Sequence, residues 1–293
     1  MPPFYGKLIP IMFSKDNLTR ENIVNHVRKI YAENYQDNDL GVMERVLDDV
    51  IDLFQGLRKG YQACDTRYHN LFHTFQTIPP FVEMIDGWNR SGGVPKISKE
   101  YFKFGVIGVL LHDTGYIKAQ GDDQGTGAKY TFTHMQRSVD FARRYLEELG
   151  VEYSIIPCIL NIIRCTGVTL DMNIEFHSEE EKRVGYALGT ADLLGQMSAE
   201  DYIDKIPVLY DEFAEAYRFA GMDRLNAHNS AMPLSAEDLL RSTPKFYEDI
   251  ALARFKMMGS MHLFIGYHHD GSQNPYVEAI EKNINKIRQT AGT

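Results

Sequence analysis

The chain has 293 residues, 44% of them hydrophobic, and a formal net charge of −9 at pH 7. A chain of that size buries a substantial core, and its composition is not that of a disordered or fibrous protein. The acidic balance, with no run rich in lysine and arginine, gives no electrostatic footprint for a nucleic acid duplex or an anionic membrane surface, so a small acidic substrate requires a local positive site such as a metal.

The first residues, MPPFYGKLIPIMFSKDN, carry an apolar patch at Leu8 to Phe13 but lack the charged start, unbroken apolar run and small-residue cleavage site of a secretory signal. No segment approaches the roughly 20 apolar residues that a spanning helix needs. Three cysteines, Cys64, Cys158 and Cys165, occur without CxxC spacing, the last two in an apolar segment where buried free thiols are expected. These features predict a cytoplasmic protein in a reducing compartment.

From Asn17 onward apolar residues recur at three- and four-residue spacing, which predicts helices. ENIVNHVRKIYAENY and VMERVLDDVIDLFQGL are amphipathic. A third helix carries YHNLFHTFQTI, placing His69 and His73 one turn apart, and is either stopped at Pro79–Pro80 or kinked there and continued through FVEMIDGW. NRSGGVPKIS reads as a loop. SKEYFKFGVIGVLLHD starts at a Ser98 cap and delivers His112 and Asp113 at the end of a helix apolar on most sides. GYIKAQGDDQGTGAKYT reads as a long flexible loop, and its GTG follows no strand, so it is no nucleotide fingerprint.

Helices resume with FTHMQRSVDFARRYLEELG, closed by Gly150, and with IIPCILNIIRCT. Ser178 and Glu181 stand at capping-box spacing before GYALGTADLLGQM, and Ser198 with Asp201 repeats the device before YIDKIPVLYDEFAEAYRFAG. HNSAMPLSAED reads as a polar linker, followed by helices in TPKFYEDIALARFKMMGSMHLFIGY and NPYVEAIEKNINKIRQ, with the methionines as core filler. No internal repeat or sharp change in composition divides the chain. A single all-α domain over 1–293, ending in a C-terminal helical extension at 220–293, is the simplest account.

Metal sites in helical folds are built from histidine and carboxylate side chains that converge from different helices. Here His73 is on one helix, His112 and Asp113 end another, and Asp192 sits in the apolar face of a third. A buried carboxylate without a partner costs several kcal/mol, which a divalent cation removes. The His-Asp dipeptide occurs twice. VIGVLLHDTGY buries the first copy, whereas His269–Asp270, between a helix and GSQNP, reads as a surface turn whose alteration should matter little.

In that order, YHNLFHT, VLLHDTGY and GTADLLGQM resemble the signature of the HD superfamily of metal-dependent phosphohydrolases, over about 53–219. The YHN followed by a further His is similar to the cyclic-nucleotide phosphodiesterase branch. The resemblance implies an all-α HD-type helical bundle in which His73, His112, Asp113 and Asp192 hold a metal and His69 is the general acid, with a core or supporting histidine as its alternative reading. It implies hydrolysis of a small-molecule phosphoester, a nucleotide or cyclic nucleotide foremost. A divalent cation in such a set binds a phosphate oxygen and makes hydroxide available from water near neutral pH, and an imidazole can protonate the leaving oxygen. Mixed imidazole and carboxylate donors suit manganese, iron, zinc, cobalt or nickel, with magnesium at a weaker second position.

The chain departs from that branch after His112–Asp113, where HDTGYIKAQGDD replaces a nearby His-Pro-Gly. His134 is a candidate for a second metal or for substrate phosphate, or else a helix-start histidine near solvent. Arg164 and Lys118 are candidates for phosphate, with a structural ion pair or a solvated cation as the alternatives; Arg67 is a further such cation. Tyr68 and Tyr116 pack a base or line the core, and Gln196, one turn after Asp192, reads a base or supports the site. The glycine-rich loop could be a mobile cover. Two rival readings stand beside hydrolysis: a di-iron oxygenase on an HD-type fold, and a regulatory module that binds metal or nucleotide without turnover. The exposed acidic surface is compatible with a monomer or a homo-oligomer.

Overall fold

The computed structural model describes residues 17–166, 174–227, 233–270 and 274–291, and among them every regular element is helical. The Leu8–Phe13 patch lies outside these residues. No described helix is long and apolar enough to cross a membrane.

Helix α1 (Arg20–Tyr35) is capped by Thr19, and it and α2 (Gly41–Phe54) each bury the stripe expected from their spacing in the shared core, Ile23, Val27 and Ile30 from the first and Val46, Leu47 and Val50 from the second. Helix α3 (Leu71–Arg90) runs without interruption through Pro79 and Pro80, so the stopped alternative is wrong and the continued one holds. The carbonyls of Phe75 and Gln76 thereby lose their ordinary i+4 donors. Tertiary packing carries the helix across this defect, since Ile78, Phe81, Val82, Met84 and Ile85 are all buried in the core.

Helix α4 (Lys99–Leu111) starts at Ser98 as expected, the serine hydroxyl accepting from the Tyr101 amide. Helix α5 (His134–Glu148) ends before Gly150, which adopts φ 78. Helix α6 (Ile156–Arg164) buries Cys158, and Cys165 beyond its end is buried too; both are free thiols. In α7 (Glu179–Met197) the Ser178 hydroxyl accepts from the Glu181 amide, while the Glu181 carboxylate turns back to the amide of His177, one residue earlier than a standard capping box requires.

Three expectations change beyond this point. Ser198 is the C-cap of α7 and does not start α8 (Tyr202–Ala227), because its amide is already bonded to the Leu194 carbonyl. The end of the expected linker is helical: Ser235 caps α9 (Ala236–Phe246). The long helix expected after it is a broken series, with a wide turn at Tyr247–Ala251, α10 (Leu252–Met257), a tight turn at Met261–Phe264 and α11 (Ile265–His268), divided where Gly259 and Ser260 take positive φ. Met258 and Met261 are core, as expected, but Met257 is exposed and fills none of it. Helix α12 (Pro275–Ala291) closes the described chain. Phe255, Ile265, Ile280 and Ile284 join the same apolar cluster as α3 and α7, so the C-terminal helices complete the core.

Candidate metal centre

Helix α3 carries the first ligand candidate, and its start decides where the two histidines of YHNLFH go. The Asn70 side chain accepts from the amides of Phe72 at 2.9 Å and His73 at 3.3 Å. Asparagine is among the strongest caps, so the helix begins after it. His69 therefore lies outside the helix, which corrects the expected stacking of one turn over another. His73 sits in the first turn.

Its position is set by α3, α4 and α7 together. Gly195 on α7 comes so close to α3 that a Cβ there would lie 2.6 Å from the Gln76 carbonyl oxygen, one of the two that the prolines free. This contact seats Asp192, one turn earlier, beside His73, with Asp192 Oδ1 3.0 Å from His73 Nε2. Asp113 Oδ2 stands 3.4 Å from His73 Nε2 and 3.4 Å from His112 Nε2, and His112 Nε2 is 3.7 Å from Asp192 Oδ1. His112, at the C-cap of α4, donates from Nδ1 to the Val109 carbonyl at 2.7 Å, which leaves its Nε2 facing the carboxylates.

Burial alone would push His112 down, but Asp113 and Asp192 outweigh it and raise it to about 9. Burial would raise Asp113, yet His112 and His73 bring it below the ordinary carboxylate range. Asp192 is held well below that range, burial again being outweighed by the adjacent His112 and His73. The His112 Nε2 and Asp113 Oδ2 atoms are buried and lack a hydrogen-bond partner within the chain. Donor atoms 2.0–2.2 Å from a shared ion stand roughly 2.8–3.6 Å apart in tetrahedral or octahedral arrangements. The four separations, 3.0 to 3.7 Å, lie within or just beyond that range, and one donor atom each from His73, His112 and Asp192 lies within 4.8 Å of the others, with Asp113 Oδ2 beside both imidazoles. Two carboxylate oxygens and two imidazole nitrogens converging here are a donor set that a divalent cation can use once the imidazoles have given up their protons.

Around this set stand His69 and His134. His69 Nδ1 is 2.7 Å from Glu212 Oε2 on α8, and the other Glu212 oxygen accepts from the Tyr68 amide at 2.6 Å. Burial opposes the charge on His69, but Glu212 overcomes it and raises the imidazole. The His69 ring is 5.7 Å from that of His73 and lies nearly parallel to Tyr116, centroid to centroid 4.5 Å. Tyr116 also stacks on His134, centroid to centroid 4.6 Å. His134 is buried, not near solvent: it donates from Nδ1 to the Thr131 carbonyl at 2.6 Å, and its Nε2 is 3.9 Å from Asp113 Oδ1. Burial lowers its proton affinity more than Asp113 restores it. The two oxygens of Asp113 thus face different imidazoles, His73 and His112 on one side and His134 on the other.

Other candidates lie elsewhere or are already engaged. Lys118 pairs with Asp65 at 2.8 Å and donates to the Gly125 carbonyl, so it pins the loop that follows Asp113. That loop, expected to be flexible, is also tied down by Thr126 and Gly127 bonding to Glu215 and Asp65. Arg164 binds Asn161 of its own helix at 2.6 Å, and Arg67 is exposed. Tyr68 and Gln196 come together, the phenol donating to the amide oxygen at 3.0 Å, so each is occupied by the other. A cavity of about 660 Å³ lies between Asp122, Lys129, Tyr130, Arg137 and Phe219 and includes none of the four metal candidates. Its cations are spoken for: Lys129 binds Asp122, and Arg137 donates to the Gly115 and Ile117 carbonyls.

Two features escape the sequence. Glu212 is one acid among several on α8, and only its burial and its grip on His69 and Tyr68 distinguish it. The second His-Asp copy is half corrected: Asp270 is exposed in a turn with φ 57, but His269 and its neighbour His268 face inward onto carboxylates of α3. No protein-family model and no curated protein matches the chain.

Proposed function

We propose that the chain is an HD-type metal-dependent phosphohydrolase, acting on the phosphoester of a small molecule, a nucleotide or cyclic nucleotide. The observation that carries this reading is the convergence of His73, His112, Asp113 and Asp192 from three helices, next to an imidazole held by a buried acid. These four would hold the metal, which when bound supplies Lewis acidity toward a phosphate oxygen and water activated near neutral pH.

The chain's own residues complete the chemistry. With Nδ1–H donated to Glu212, His69 carries its transferable proton on Nε2 and can hand it to the leaving oxygen. Glu212 stabilises the imidazolium before that transfer, and the flat contact with Tyr116 fixes the ring. His134 and Asp113 Oδ1 are the candidates for a second, weaker cation such as magnesium or for substrate phosphate. The same pair is what a di-iron oxygenase would use, and iron-dependent oxygen consumption would mark that reading.

The test is release of phosphate or nucleoside from mononucleotides, cyclic nucleotides and a generic phosphodiester with manganese present, for the protein and its Asp113→Ala variant. Activity that disappears in the variant is expected, and the substrates cleaved distinguish monoester from diester. Equal activity in both proteins would refute the assignment.

A further inference from the structure

The last two turns of α3 carry a second group of histidines and carboxylates, unrelated to the first. Glu83 and Asp86 are 2% and 1% exposed, deep for unmodified acids. Glu83 lies ten residues beyond His73 on the same helix, about 15 Å along its axis at the α-helical rise.

Three imidazoles meet these acids from two other parts of the chain. His26 of α1, itself buried, has Nε2 3.2 Å from Glu83 Oε1, and His269 has Nε2 3.3 Å from Glu83 Oε2. His268 places Nδ1 2.5 Å from Asp86 Oδ2. Asp86 is also bonded by Arg90 at 2.6 Å and by the Asn34 side-chain amide at 2.6 Å. The buried phenol of Tyr276 hydrogen-bonds Glu83 as well. The ring of His268 is 4.7 Å from that of His269 and 6.4 Å from that of His26. One donor atom each from Glu83, His268 and His269 lies within 4.8 Å of the others.

The backbone is shaped for this meeting. A Cβ on Gly87 would stand 1.8 Å from the Phe264 carbonyl oxygen, so only glycine lets the segment leading into α11 press onto α3. That contact carries His268 and His269 to the acids.

We propose that Glu83, His268 and His269 form a second metal site for a zinc-like cation that fastens the C-terminal segment to α3. The reasoning is coordination chemistry. Two imidazoles and one carboxylate are borderline donors of the kind that zinc and cobalt accept, and a site that ties one segment to another is structural. Asp86 does what acids beside metal-bound histidines do: by accepting from His268 Nδ1 it leaves Nε2 as the donor atom. Glu83 Oε2 stands 3.3 Å from His269 Nε2, the separation of neighbouring donors on one ion, while Oε1 is held by His26 at 3.2 Å.

This proposal does not depend on the hydrolase reading, and its test is built to keep the two apart. Full-length Asp113→Ala protein, stripped with chelator, is loaded with zinc, passed through gel filtration and analysed for zinc per chain, alongside the same protein carrying His268→Ala and His269→Ala. One equivalent in the first and none in the second is the expected result. Zinc should also raise the thermal midpoint of the first protein and leave the second unmoved. Equal zinc content in the two proteins, whether zero or one, overturns the proposal. Glu83→Gln is a further variant, and since a buried substitution can cost folding, His269→Ala alone, at a half-buried position, gives the same comparison with the fold preserved. A failure of the first site would show separately, as wild-type protein that holds no more zinc than Asp113→Ala.

Discussion

The affinity of the first site for its metal should climb steeply with pH, because His112 must lose a proton before its Nε2 can serve as a donor. In the metal-free protein Asp113 and Asp192 raise that imidazole to about 9. At pH 7 only about one molecule in a hundred has His112 deprotonated, so affinity should rise about tenfold per pH unit from 7 to 9, a total near 2.7 kcal/mol at 1.36 kcal/mol per unit. Above about 9 the curve should flatten. The metal-free fold should show the opposite sign. A group whose folded value is raised adds stability that is fully present below its unfolded value and is lost as pH rises through about 9. The assay is competition of zinc or cobalt against a chelator of known pH dependence, at half-unit intervals from pH 6.5 to 9.5, on His268→Ala/His269→Ala protein so that one site is read. A flat affinity from pH 7 to 9, after correction for the chelator, would refute the charge pattern assigned to His112, Asp113 and Asp192.

Glu212→Gln should leave metal content unchanged, slow turnover, and move the limb of the pH profile that reports the His69 proton to lower pH, since the Glu212 bond is what raises that imidazole; an unmoved profile would remove Glu212 from the reaction. Gly195→Ala should cost about 1–3 kcal/mol in a urea titration, by forcing α7 off the Gln76 carbonyl, and should weaken metal binding through Asp192; an unchanged midpoint would contradict the close contact. Lys118→Met should quicken amide exchange in the loop between Asp113 and Thr126 while leaving turnover within about twofold, and a large loss of turnover in a well-protected loop would return Lys118 to the phosphate.

The metal candidates were legible because each breaks a local rule. His73, His112, Asp113 and Asp192 put polar donors into apolar helical faces, and that conflict is visible in a one-dimensional pattern. Their helices were legible for the same reason, as were the Ser98 and Ser178 caps. What stayed hidden depends on competition or on distance in the chain. Asn70 competes with its neighbours for the cap and removes His69 from the helix, which spacing alone does not reveal. Ser198 could start one helix or end another, and the hydrogen bond to Leu194 chose the latter. Glu83 and Asp86 sit in FVEMIDGW with no histidine near them in sequence. His268 and His269 precede glycine and polar residues that signal a turn, and only the approach at Gly87 unites them with the two acids across more than 180 positions.

The proline pair in α3 shows how a local defect can be an asset elsewhere. Replacing Pro79 and Pro80 with alanine would give Phe75 and Gln76 their ordinary donors back and make the helix better by every local measure. It would also draw the Gln76 carbonyl into the helix and away from the surface on which Gly195 rests. Asp192 is registered to His73 through that surface, so variants selected for a stiffer α3 should carry a poorer metal centre. In this helix, thermostability and site alignment pull in opposite directions, and an engineer seeking the first should leave residues 75–80 alone.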